Sequence, residues 1–364
     1  MTAKLEDWRL ALPEAKRRRV RIWLWTIAAF TLLVLVIGGT TRLTESGLSI
    51  VDWQPIIGVV PPLNDAAWQE AFERYRQYPQ FQQVRNDMTL AEFKVIFFWE
   101  YLHRLAARAI GVVFLLPFLF FAARGYFTQP LARRALALFA LGALQGVIGW
   151  LMVKSGLVDR PSVSHYRLAT HLALAFLIMG YSVWLARELA IGPVRERIDP
   201  GSRRTLGRGL ATVGALLAVQ IVWGAFVAGL DAGRVYNTFP LMGGSLLPPD
   251  LLWLQPAVLN FVQSPIAVQW MHRVLGTLLL AATFVVFLHV RRRGTDPSSR
   301  RLSLALLALI VVQYLLGIWT LIAYVPVTLG VIHQAMAMVI AAVWVCWLHH
   351  VRNLAIARPD GPVA

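Results

Sequence analysis

Charge is scarce in this 364-residue chain, and cysteine is almost absent. Only 15% of the residues are charged against 57% hydrophobic, a balance too apolar for a soluble domain. The single cysteine, Cys346, excludes an intramolecular disulfide, a cysteine-based metal site and the Cys-x-x-Cys-His motif of covalent cofactor attachment. Acid is scarcest of all: 19 Asp+Glu stand against 35 Lys+Arg, for a net charge of +16. Such a balance invites a nucleic-acid reading, and the distribution of the charges removes it.

What is abundant is the apolar run of about 20 residues, the length that crosses a bilayer core. Eight such spans are expected, at 22–41, 96–123, 134–153, 165–187, 206–229, 266–290, 302–324 and 328–349. The basic stretch "KRRRVR" leads straight into the first, so no cleavable signal peptide is expected. With the N-terminus placed in the cytoplasm, the inner segments hold 23 of the 35 Lys+Arg but only 8 of the 19 Asp+Glu. That is the positive-inside pattern, so the basic excess is topological. The expected fold is an all-α polytopic membrane protein with both termini cytoplasmic and no nucleic-acid partner.

The chain repeats itself. "EYLHRLAARAIG" (100–111) matches "QWMHRVLGTLLL" (269–280), "LQGVIGWLM" (144–152) matches "VQYLLGIWT" (312–320), and "YRLATHLALAF" (166–176) matches "LGVIHQAMAMV" (329–339). Each copy has four spans and therefore the same orientation, a parallel repeat. The predicted organisation is two four-helix bundles: a cytoplasmic segment 1–21, a first half 22–190, a cytoplasmic linker 191–205, a second half 206–350 and a tail 351–364. "TLAE" at 89–92 reads as a capping box that starts a helix outside the membrane.

Four of the eight histidines share one depth. His103 precedes Arg124 by 21 residues, His272 precedes Arg291 by 19, His171 precedes Arg187 by 16 and His333 precedes His349 by 16. At ~1.5 Å per residue all four stand ~24–31 Å above the inner boundary, near the outer face. Each half thus carries two histidines, on its second and fourth spans. Such a pair can fill both axial positions of a haem iron, as in low-spin b-type cytochromes. His165 has no counterpart and is not expected to be a ligand; His289, His349 and His350 are expected to decorate the inner interface. Arg104 and Arg273 follow two of the paired histidines and suit either haem propionates or interfacial snorkelling. The Gln-x-x-x-Gly motifs Gln145/Gly149, Gln220/Gly224 and Gln313/Gly317 read as helix-packing sites. Trp53 and Phe239 read as members of the interfacial aromatic belt.

The halves differ where chemistry would matter. Glu100 lies three residues before His103, about 60° around the helix and ~4.5 Å outward, on the histidine face; its equivalent in the second half is Gln269. A carboxylate there can position water, take a proton or steady a cation. The bland alternative is an ion pair with Arg104 or Arg108.

"GGTTRLTESGLSIVDWQPIIGVVPPL", "DMTLAEFKVIFFWEYLHR", "HYRLATHLALAF" and "MHRVLG" resemble the haem A synthase family of alphaproteobacterial and mitochondrial type, over nearly all the chain beyond its first 20 residues. The resemblance implies oxidation of the C8 methyl of haem O to a formyl group, with water as oxygen source, giving haem A for cytochrome c oxidase. It implies that His272 and His333 hold a resident haem b, that His103 and His171 receive the substrate haem, and that Glu100 is catalytic. The outer-loop cysteine pair of some relatives is missing, which excludes a thiol-dependent step there. Implied surroundings are the bacterial inner membrane, haem O synthase and oxidase assembly factors, with the electron-transfer partner and any homo-oligomer left open. The rival reading is a dihaem b-type cytochrome, a quinol or ferric reductase. A solute transporter sharing the repeat would instead place polar groups at midplane.

Overall fold

The computed structural model describes residues 11–52, 57–156, 161–190, 197–293 and 295–356. Trp53 and the remoter parts of the N-terminal segment, linker and tail (1–10, 191–196, 357–364) lie outside the described residues. The eight expected spans are present as α1 (Glu14–Leu43), α4 (Leu90–Ala123), α5 (Gln129–Gly156), α6 (His165–Glu188), α7 (Pro200–Gly229), α9 (Pro265–Arg292), α10 (Pro297–Ile322) and α11 (Val327–Asn353). Every one is long and apolar enough to cross a membrane: the chain is a multi-pass helical membrane protein.

Most helices run a turn or more beyond the apolar stretch that announced them, because their ends are capped in water. Asp199, Ser264 and Asp296 accept backbone N–H bonds at the starts of α7, α9 and α10. The expected capping box is in place: Glu92 N donates to Thr89 Oγ1 at 3.3 Å and Thr89 N to Glu92 Oε2 at 2.8 Å. Its effect is to start α4 at Leu90, well over one turn before the apolar span expected from residue 96. Two short helices between the first two spans, α2 (Asp65–Arg76) and α3 (Pro79–Val84), pack a cluster of Phe72, Tyr75 and Phe81 onto Phe93 and Phe97 of that projecting end. A one-turn helix, α8 (Asn260–Gln263), precedes α9.

Helices α1, α4, α5 and α6 pack as one group and α7, α9, α10 and α11 as the other, an arrangement consistent with two four-helix units. The halves are not insulated from each other. The largest buried cluster joins Ala28 and Leu35 of α1 and Phe176, Met179 and Val183 of α6 to Leu206, Leu210 and Val213 of α7 and Met338 of α11. Small residues permit this approach, as is general where lipid removes the hydrophobic drive between helices. A Cβ on Gly229 would stand 2.5 Å from His165 Cβ, and one on Gly330 2.7 Å from Leu43. The segment between α6 and α7 also meets the segment after α11, as a two-residue parallel ladder of β1 (Arg197–Ile198) with β2 (Ala355–Ile356).

The halves differ in tightness. In the second, α9 and α10 pack closely; in the first, α4 meets α5 in few places. The buried residues of α5 are Leu131, Ala135, Leu138 and Gly156, leaving its middle little covered.

Candidate haem-binding site

The four paired histidines lie on four of the long helices, His103 on α4, His171 on α6, His272 on α9 and His333 on α11. Within each half the two imidazoles are electrostatic neighbours, His103 with His171 and His272 with His333. Behind each ring stands a glycine of the preceding membrane helix. A Cβ on Gly38 would lie 2.9 Å from His103 Nε2, and on Gly149, Gly224 and Gly317 it would lie 3.0, 3.1 and 2.9 Å from Cε1 of His171, His272 and His333. Any side chain at these positions would push the imidazole aside, so the glycines form a cradle. The Gln-x-x-x-Gly motifs, which the sequence suggests are general packing devices, all face histidines. Each glutamine amide donates to the main-chain carbonyl of its histidine: Gln145 to His171 at 3.1 Å, Gln220 to His272 at 3.2 Å and Gln313 to His333 at 2.9 Å.

Nδ1 of His171, His272 and His333 is buried without a hydrogen-bond partner. Orphaned ring nitrogens of this kind are costly. No group of three or more His, Cys, Asp or Glu able to hold a bare metal ion occurs among the described residues. Two imidazoles per half are the number that an iron porphyrin, which brings four nitrogens of its own, leaves to the protein. The donor set therefore fits a haem.

Glu100 is 2% exposed, and its counterpart Gln269 3%. Arg104 Nε donates to Glu100 Oε1 at 2.6 Å, while its terminal nitrogens donate to the carbonyls of Ile50 (2.8 Å) and Asp52 (3.2 Å). Glu100 Oε2 faces Gly47, whose added Cβ would lie 3.7 Å away. The second half copies this with an amide. Arg273 donates to Gln269 Oε1 at 3.0 Å and to the carbonyls of Tyr236 (2.9 Å) and Thr238 (2.8 Å), and Gln269 Nε2 donates to Ala232 O at 2.7 Å. Both arginines thus anchor the outer loops onto the histidine helices, a role read from the sequence as propionate contact or snorkelling. The two halves diverge in the donor that Gln269 spends on its loop and that Glu100 lacks.

His165, His349 and His350 are better integrated than expected. His165 heads α6, reaches Val262 O at 2.9 Å and packs against Phe226 across the seam between the halves. His349 is buried against Trp184, and His350 lies 2.8 Å from Asp296. Phe239 packs edge-on to Tyr314. Signals that could have placed the glycines were available: each of the three Gln-x-x-x-Gly motifs falls at matching depth to one histidine.

Eight helices long and apolar enough to cross a membrane among the described residues, with two glycine-cradled histidine pairs whose donors fit a haem, define a polytopic membrane protein. Residues 21–345 match the family described as COX15-CtaA, cytochrome oxidase assembly protein, and the chain belongs to that family. It is 44% identical over 333 residues to a protein of Nitrosospira multiformis, covering 91% of this chain and 93% of that one. A protein of Bradyrhizobium sp. (strain BTAi1) is 48% identical over 324 residues, 88% of each chain. One from Parvibaculum lavamentivorans is 44% identical over 344 residues, 94% of this chain and 96% of its own. All three bear the name heme A synthase.

Proposed function

We propose that this chain is a haem A synthase, an oxidoreductase that converts the C8 methyl of haem O to the formyl group of haem A. The observation that carries the reading is the asymmetry of two otherwise matched sites: Glu100 stands one turn outward of His103, where Gln269 stands outward of His272. A protein that only carried electrons would have no use for that difference, which disfavours the dihaem cytochrome. The near-full-length likeness to chains named heme A synthase points the same way.

On this reading the first half, 22–190, is the substrate half. His103 and His171 hold haem O, and Glu100 positions water and accepts protons as the methyl passes through a carbinol and a hydrated aldehyde to the formyl. Each of the two oxidations consumes one water and releases two protons, taken up through Glu100, and two electrons, which pass to an external electron acceptor. Arg104 keeps the outer loop closed over the acid. The second half, 206–350, is the resident half, where His272 and His333 hold haem b and Arg273 with Gln269 pins the loop. Haem b, when bound, supplies one-electron redox chemistry beside the substrate site. Orientation follows the basic inner segments, with both termini cytoplasmic in a bacterial inner membrane and the histidine pairs toward the outer leaflet. Haem O synthase is the natural supplier and cytochrome c oxidase assembly the consumer.

The deciding experiment is expression in a host that makes haem O, followed by chromatography of the haems extracted from the purified protein. A synthase contains haem O, haem A or the carbinol beside protohaem; extraction of protohaem alone would return the chain to the cytochromes.

A further inference from the structure

Four glycines face four histidines, yet only three have the same companion. Gln145, Gln220 and Gln313 each stand one turn inward of Gly149, Gly224 and Gly317. Their amides donate to the histidine carbonyls and also lie 3.4, 3.3 and 3.4 Å from Nε2 of His171, His272 and His333. A carbonyl inside a helix already accepts the N–H four residues on. The glutamine therefore adds a bond between helices and ties the turn that carries the histidine to the helix behind it. On α1 the residue one turn before Gly38 is Val34, which has no donor.

His103 is thus cradled like the other three but receives no amide on its own carbonyl. The nearest side-chain bond from α1 reaches Trp99 O, one turn before it, from Thr41 Oγ1 at 3.1 Å. Space does not explain the exception. The residue four after each histidine, beside which the amide must pass, is small in all four cases: Ala107, Ala175, Gly276 and Ala337. At Gly276 an added Cβ would lie 3.2 Å from Gln220 Nε2, which shows how closely the amide passes there. The missing tie also falls on α4, the helix that carries Glu100 and that meets α5 in few places.

Resting on the reading that His103 and His171 hold the substrate haem, we infer that His103 is the releasable ligand of the protein and that Val34 makes it so. The step is a ligand exchange. The bond between iron and the His103 nitrogen breaks, its electron pair stays on the imidazole, and no proton or redox change accompanies it. His171, tied by Gln145, keeps the macrocycle in register until it leaves. His272 and His333 are both tied, as suits a group that stays. A substrate must depart after each turnover and a resident cofactor must not, so the two halves require opposite ligand mobility from the same four-helix plan.

The test uses the full-length protein purified with haem O bound, mixed with excess apomyoglobin, and the haem O left on the protein is measured by chromatography over time. Val34→Gln should slow release roughly two- to ten-fold, the factor that one net hydrogen bond is worth. Val34→Met, similar in volume and without a donor, should release at the wild-type rate. A second pair of variants stands independent of how well these fold. His103→Ala should retain haem O with the spectrum of a high-spin, singly ligated iron, whereas His171→Ala should lose it. Unchanged release by Val34→Gln, equal slowing by Val34→Met, or equal haem O loss from the two histidine variants would each overturn the inference. If neither histidine replacement altered haem O content, the assignment of the substrate to the first half would itself fall, and this inference with it.

Discussion

Replacing Glu100 by Gln copies the second half's residue into the first and separates chemistry from structure. Charge-assisted hydrogen bonds contribute ~1.5–3 kcal/mol and neutral ones ~0.5–1.5 kcal/mol. The Arg104–Glu100 contact of 2.6 Å joins two groups of opposite charge and stands at the upper end of the first class, while the Arg273–Gln269 contact of 3.0 Å shows the same charged donor on a neutral acceptor. The exchange should therefore cost ~1–2 kcal/mol, because Arg104 keeps its bonds to Ile50 O and Asp52 O and an acceptor at position 100. Against a typical stability of ~5–15 kcal/mol the variant stays folded. Its chemistry should fare much worse: removing a positioned acid–base group costs ~10²–10⁴ in rate, or ~3–5 kcal/mol of barrier. Protein yield and the haem b spectrum should stay near wild type, while extracted haem shifts from haem A to haem O or the carbinol. Glu100→Ala is the structural contrast. It leaves Arg104 with neither counter-charge nor acceptor at position 100, opens a buried gap there, and should cost ~3–5 kcal/mol, with a visible loss of protein. Normal haem A output from Glu100→Gln would refute the catalytic role and leave the acid as a loop anchor.

Replacing His272 or His333 by Ala should remove or alter the low-spin haem b absorption, and a normal spectrum in both variants would reject that pair. Gly317→Ala puts a methyl 2.9 Å from His333 Cε1 and should cost ~1–3 kcal/mol with weakened haem b retention; Gly111→Ala, which meets nothing within 4 Å, is the control, read by haem-to-protein ratio and thermal unfolding. Outside the membrane, burial holds the Tyr75 hydroxyl up at about 12, with Arg85 opposing and Glu45 adding to the shift. The outer helices should therefore keep full stability below pH 10 and lose about 2 kcal/mol as pH rises from 10 to 12. Protease sensitivity of the 65–84 segment should rise across that window, and Tyr75→Phe should flatten the rise; an identical profile in the variant would sink the assignment.

Much of this protein is legible in one dimension. A bilayer demands about 20 apolar residues and internally bonded backbone, so the eight spans had to be helices. A charged or titratable group in such a span is expensive, so Glu100, the paired histidines and the Glu100/Gln269 difference stand out from the apolar letters around them. The Thr89–Glu92 capping box is local and could be read directly. What tertiary structure alone decided is which faces meet. Lipid and protein core are equally apolar, so periodicity does not tell the buried Leu35 from the exposed Leu33 on α1. Nor does it say that Ala28 and Met338 share one core across the two halves. The outer helices α2 and α3 are too short and polar to announce themselves, and depend on their aromatic cluster against α4. Arg104 and Arg273 were recognisable as cations at an interface, but their carbonyl partners lie more than 30 residues away in sequence. The depth of the Gln-x-x-x-Gly motifs hinted at three of the glycines, but their contact with the histidines, and Val34 as the odd companion of the fourth, emerge only when each odd-numbered span is laid against the next. A glycine in a sequence says that space is needed; only the packed helices say that the space belongs to a histidine.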